Sequence, residues 1–242
     1  MRKIVLLVEL VFLAKINYGQ TVDRVGACNK FNIFNNLVLK GDVKKEEAQK
    51  QLQEVIKQIK LWVVFRNELL EPKTEWMFPL KGYNYRAIGG NGDGYSDKGY
   101  RYLDGNKHGA HPAHDIFIND KNQDCIDDYT GKPVDVLAVD DGTVIACSVG
   151  WEPASNLRGG KFIWIYHPEK NYFTYYAHNQ YIYVKPGDEV YQGKKIAEVG
   201  RTGYNAYKRR SPTHLHFSAF RLVDDIPVPF NPYQQLKKAK TL

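Results

Sequence analysis

The residues best suited to chemistry in this chain are its histidines, and they are unevenly spaced. The seven are His108, His111, His114, His167, His178, His214 and His216. In THLHFSAF the apolar residues Leu215, Phe217 and Ala219 alternate with polar ones. A strand there buries one face and projects His214 and His216 together from the other. By itself the pair reads equally as two metal ligands or as two exposed polar residues. In HGAHPAHDIFI, His111 precedes Asp115 by four residues across Pro112, and a turn there brings an imidazole and a carboxylate to one centre. A lone His-x-x-x-Asp is common in surface loops. Joined by one histidine of the HxH strand, however, His111 and Asp115 complete a His, Asp, His set. Three protein ligands with a fourth position open are the composition of a catalytic rather than a structural zinc site. His114 has the wrong parity to share the face of Asp115 and reads as structural or as a support for the ligands. His178 ends the strand-like YFTYYAH and, taken alone, reads as a sheet-face histidine.

Those side chains need elements to hold them. From Asp115 onward the chain reads as short strands joined by turns: VDVLAVDDGTVIACSV as a hairpin turning at Asp141-Gly142, KFIWIYHPEKNYFTYYAH as another turning at His167 to Asn171, and a last strand near His214 to Leu222. Upstream, Asp42 to Trp62 reads as a helix capped by Asp42. Leu52, Val55, Ile56, Ile59 and Trp62 fall at helical spacing, and the interleaved lysines and glutamates mark a solvated face. Between them, Gly89 to Gly109 is a glycine-rich loop of a length that is usually functional or disordered. It matches neither a Walker loop nor a dinucleotide fingerprint. The fold class expected is mainly β, an antiparallel β-sheet domain with a small N-terminal helical segment.

In chain order, His111-x-x-x-Asp115, Tyr176-Ala177-His178 and His214-Leu215-His216 resemble the motifs of the lysostaphin-type, or LytM-like, zinc metallopeptidases, which are peptidoglycan endopeptidases. PVDVLAVDDGTVIA and YVKPGDEVYQGKKIAEVGRTG resemble the same family's spacer patterns, so the likeness runs roughly from Phe78 to Asn231. The resemblance implies one zinc ion bound by His111, Asp115 and His216, with His178 and His214 as catalytic residues beside the water that zinc activates. The chain is expected to divide into a signal peptide at 1–19, an N-terminal helical segment at 20–77 and a peptidase domain at 78–242. Two departures stand out. Ala113 replaces a glycine common in the first motif, and the link before HxH is lengthened to YNAYKRRSPT. That link reads equally as a wall of the substrate groove, with Lys208, Arg209 and Arg210 facing anionic stem peptides, or as a solvated charged loop.

Composition sets the compartment. The 242 residues are 43% hydrophobic and 25% charged, which excludes disordered and collagenous classes, and a mean hydropathy of -0.50 excludes a multi-pass membrane protein. Arg2 and Lys3 precede a short apolar run ending before Gly19, a signal-peptide pattern too short for stable membrane insertion. An exported protein, periplasmic or extracellular, is expected. In that oxidising setting Cys28, Cys125 and Cys147 allow one disulfide, with Cys125 and Cys147 the preferred pair. The net charge of +7 favours an anionic partner, and export together with the lack of any RNP-like motif or basic recognition helix makes that partner the wall and not nucleic acid. The expected function is thus a secreted zinc metalloendopeptidase, a hydrolase acting on peptidoglycan peptides of the cell wall. The alternative is an inactive wall-binding or regulatory protein of the same fold.

Overall fold

The computed structural model describes residues 24–63, 73–107 and 109–242. The signal-peptide expectation, the Trp62 side chain and His108 lie outside them. Among the described residues no helix is long and apolar enough to cross a membrane.

The chain is mainly antiparallel β, as its alternating apolar pattern requires. One sheet of seven strands runs β1 (His114–Phe117), β9 (His214–Val223), β5 (Tyr172–Ala177), β4 (Phe162–His167), β3 (Gly142–Ser148) and β7 (Glu189–Val190), with β10 (Ile226–Phe230) also paired to β9. A second sheet of three strands runs β2 (Asp135–Leu137), β8 (Lys195–Val199) and β6 (Asn179–Ile182). Residues of opposite parity on the central strands enter two different cores. Leu215, Phe217 and Ala219 of β9, with Ile163 and Ile165 of β4, join Val136 and Val199 of the small sheet. Phe162, Trp164, Phe173 and Phe220 face the other way and meet the helices.

The β4–β5 hairpin forms as expected, with Ile165 paired to Thr174. The other expected hairpin does not. β2 pairs with β8, whereas β3 pairs with β4 and β7, so Asp141-Gly142 is a crossing from one sheet to the other. A two-residue hairpin of the expected kind needs positive φ at its turn residues, and neither Asp141 nor Gly142 has it. The glycine instead lets β4 approach closely, because a Cβ there would lie 2.6 Å from the Tyr166 carbonyl oxygen.

Two helices cover the outer face of the large sheet. The first, α1, spans residues 24–40 and buries Ala27, Cys28, Phe31, Phe34 and Val38. Its asparagines and Gly26 have poor intrinsic propensity, which hid it from the sequence reading. Burial against the sheet offsets that deficit, at about 1.5–3 kcal/mol for each large apolar side chain. The second, α2 (Lys45–Val63), is the expected helix, with Leu52, Ile56 and Ile59 fully buried. It starts three residues after Asp42: the Lys44 carbonyl accepts the first helical bond, from Ala48, at 2.8 Å. A short α3 (Tyr233–Lys238), too brief to give a periodic signal, follows β10.

The three cysteines are free thiols, so the expected disulfide is not formed. Cys28 faces the sheet from α1, Cys125 stands near the Gln180 side chain and Cys147 near the Val184 carbonyl. Burial pushes the Cys28 thiol up to about 12 and those of Cys125 and Cys147 to about 11, so none is a ready nucleophile.

Candidate metal centre

Strand register assembles the centre. On β1 and β9, Asp115 stands directly opposite His216, and Phe117 opposite His214. β5 flanks β9 on its other side, with Ala177 opposite His216, which delivers the next residue, His178, to the same place. His111 arrives by the turn through Pro112 and Ala113, closed by the Ala113 N–H donating to the His111 carbonyl at 2.8 Å. Ala113 is fully buried in it, so the substituted methyl group is accommodated. A reciprocal pair of backbone bonds with Ser96, at 2.8 and 2.9 Å, fixes His111 to the glycine-rich loop.

His111, Asp115 and His216 offer ligand atoms that all lie within 4.8 Å of one another. Asp115 Oδ1 is 3.3 Å from His111 Nε2, 3.1 Å from His216 Nδ1 and 3.6 Å from His214 Nε2. Burial alone would raise the Asp115 carboxyl. The hydrogen bonds from His111 and His216, with the charges of His216 and His214, outweigh it and hold the group far below the usual carboxylate range. Asp115 is thus ionised at neutral pH. The Asp115 contact raises His111, while burial lowers His216.

Backbone carbonyls fix three of the rings. His111 Nδ1 donates to Gly94 O at 2.9 Å, His178 Nδ1 to Thr202 O at 2.7 Å and His214 Nδ1 to Pro212 O at 2.7 Å. At His178 and His214 this bond selects the tautomer whose Nε2 keeps its lone pair, whereas His111 Nε2 faces Asp115 Oδ1. His178 leaves β5 with φ of 69°, a left-handed conformation that costs a non-glycine residue on the order of 1–3 kcal/mol. That bend sets its ring 4.9 Å from His214 and 5.4 Å from His216, centroid to centroid. Burial, then the neighbouring His214 and His216, lowers its pKa well below the ordinary value.

Two imidazoles and an ionised carboxylate, converging on one point with oriented rings, fit a zinc ion bound through three protein ligands. The open side faces a cavity of about 310 Å³ floored by Trp164, Tyr175 and Phe220. The five residues singled out from the sequence are therefore brought together. His114 is not among them: it is buried on the opposite face, with Nε2 2.8 Å from Asn231 Oδ1. The 204–213 link lines the cavity through Asn205, Ala206 and Ser211, but its three basic residues do not. Lys208 lies over the Tyr204 ring at 4.3 Å and Arg210 donates to Asn205 Oδ1. Sequence reasoning missed the orienting carbonyls of Gly94, Thr202 and Pro212, which no side-chain identity reveals. It also missed Arg158, which lines the cavity from a segment without a motif.

Residues 123–228 match the model of Peptidase family M23, a span that includes His178, His214 and His216 and begins after Asp115. The chain is similar to a Lipoprotein NlpD/LppB homolog of Pseudomonas aeruginosa, 38% identical over 92 residues, which are 38% of this chain. It spans about a quarter, 26%, of that relative's length. Among solved structures it is similar to the catalytic domain of the antimicrobial peptidase lysostaphin from Staphylococcus simulans. The identity is 27% over 54% of this chain and 82% of that one, at a TM-score of 0.39. A zinc containing peptidase from Vibrio cholerae is 25% identical over 70% of this chain and 41% of the other, at a TM-score of 0.41. These superpositions are loose, and the family rests on the M23 match itself. Through residues 123–228 the chain is similar to the peptidases of family M23.

Proposed function

We propose that this chain is a secreted zinc metalloendopeptidase that hydrolyses peptide bonds in bacterial peptidoglycan. His111, Asp115 and His216 hold one zinc ion, and His178 and His214 are the catalytic residues. Residues 78–242 form the peptidase domain, 20–77 its helical attachment and 1–19 an export signal, which puts the mature protein in the periplasm or outside the cell. The observation that carries the reading is the convergence of an ionised Asp115 with His111 and His216, with the rings of His178 and His214 packed beside them next to an open cavity.

When bound, zinc supplies Lewis-acid polarisation of the scissile carbonyl and a water acidified to a pKa of about 7. The protein's own residues do the rest. One of His178 and His214, whose Nδ1–H groups are committed to Thr202 and Pro212, would accept the attacking water's proton at Nε2. The Nε2–H formed in that transfer can then donate to the developing oxyanion or to the leaving amine. Asp115 stays ionised and holds His111 and His216 in place through Oδ1.

The test is zinc analysis with wall digestion. Purified protein is expected to bind one zinc ion and to release peptides from sacculi, with loss on chelation and return on adding zinc. Folded wild-type protein that binds zinc yet is inert on several wall types would replace this reading with that of an inactive wall-binding protein.

A further inference from the structure

We propose that Arg158 is a specificity-determining residue that binds a free carboxylate on the substrate peptide, an assignment that rests on the hydrolytic reading above. The stem peptides of the wall are anionic, and the cavity over the metal centre must meet that charge somewhere. The expected candidates, Lys208, Arg209 and Arg210, are not in its lining. Among the described residues Arg158 is the one lysine or arginine that lines it.

Its backbone is built into the site. On one side the Leu157 carbonyl accepts from the Tyr204 N–H, and on the other the Gly159 carbonyl accepts from the His178 N–H, both at 3.0 Å. Only glycine fits next to it: a Cβ on Gly159 would lie 2.0 Å from the Tyr175 hydroxyl. The Arg158 carbonyl itself lies against Gly203, where a Cβ would be 2.4 Å away. The segment is therefore fixed to the same turn that orients His178, so the half-buried Arg158 keeps a set position relative to the reacting centre.

The rest of the lining holds Asp115, which faces His111 and His216, and an aromatic floor. A guanidinium in that setting presents a planar fork that matches a carboxylate in two parallel hydrogen bonds, which a carboxamide cannot reproduce. The substrate class is thus a peptide with a free carboxylate near the cleaved bond, in preference to its amidated counterpart.

The test uses two synthetic wall stem peptides, one with free side-chain carboxylates and one with those groups amidated. Hydrolysis is measured with the zinc-loaded full chain and binding with the zinc-free chain by calorimetry. Wild type is expected to favour the carboxylate peptide at least about tenfold in both kcat/KM and Kd, with the ratio shrinking as salt rises. Arg158→Gln is expected to bring the ratio near one, and Arg158→Lys to leave an intermediate value at an unchanged melting temperature. A wild-type ratio near one, a ratio unchanged in Arg158→Gln, or no binding of either peptide would overturn the assignment. Hydrolysis without an Arg158-dependent ratio removes this assignment alone. An Arg158-dependent binding ratio without hydrolysis removes the hydrolytic reading alone.

Discussion

The two ends of the β4–β5 hairpin each carry a buried histidine, and they differ in one nitrogen. At the turn end, His167 Nδ1 lies 2.8 Å from Asp141 O and Nε2 lies 2.7 Å from Thr174 Oγ1, so both ring atoms are spent on structure. At the open end, His178 fixes Nδ1 on Thr202 O and turns the rest of its ring toward His214 and His216. Burial lowers the pKa of both. What separates the structural His167 from His178, proposed as catalytic, is therefore the second nitrogen's surroundings and not its burial.

Variants that break this contrast are expected to differ widely in effect. His216→Ala removes a ligand, and both zinc and wall-peptide release should fall to background, as read by metal analysis and released amines. Next, His178→Ala should lower kcat by about 10²–10⁴-fold while the zinc content stays near that of wild type. Gly203→Ala comes third. A Cβ there would sit 2.8 Å from His178 Nδ1 and 2.4 Å from Arg158 O, at a φ of +118°. A displaced ring should cost about 10–100-fold in kcat/KM, with zinc retained and the melting temperature lowered.

The smallest effect on activity belongs to His167→Gln, which should leave turnover near wild type and change the acid limb of stability instead. Burial lowers His167 from 6.5 to about 4, so the unfolded chain binds the proton that the folded chain refuses. Its contribution is fully present above pH 6.5 and is lost as pH falls toward 4, on the order of 3 kcal/mol across that window. Melting curves against pH should show a shallower decline for the variant. An unchanged slope would mean that His167 is not the group responsible.

Much of the site was legible because strand parity is strict. Leu215, Phe217 and Ala219 announced which way His214 and His216 point, and the structure buries the first three in the inter-sheet core. Asp115 and His114 were separated by the same rule. The β4–β5 hairpin was legible from alternation and its turn, whereas the Asp141-Gly142 reading failed because the dipeptide does not distinguish a hairpin turn from a close crossing between sheets. The first helix was hidden because tertiary burial of Phe31, Phe34 and Val38 overrides its weak propensity. Composition alone left the basic 204–213 link equally a charged wall of the groove or a solvated loop. Its lysine and Arg210 turn to Tyr204 and Asn205, and the cavity's cation comes from the unremarked Arg158.

The central claim is that the His111, Asp115 and His216 centre, with His178 beside it, hydrolyses wall peptides. Mass spectrometry of fragments released from defined sacculi by the zinc-loaded protein tests this most directly, with chelated protein and His178→Ala as parallel samples. The account predicts new peptide amine and carboxyl ends in the zinc-loaded sample, absent after chelation and strongly reduced in the variant. Intact stem peptides after treatment with zinc-loaded protein, or cleavage that survives chelation, would contradict it.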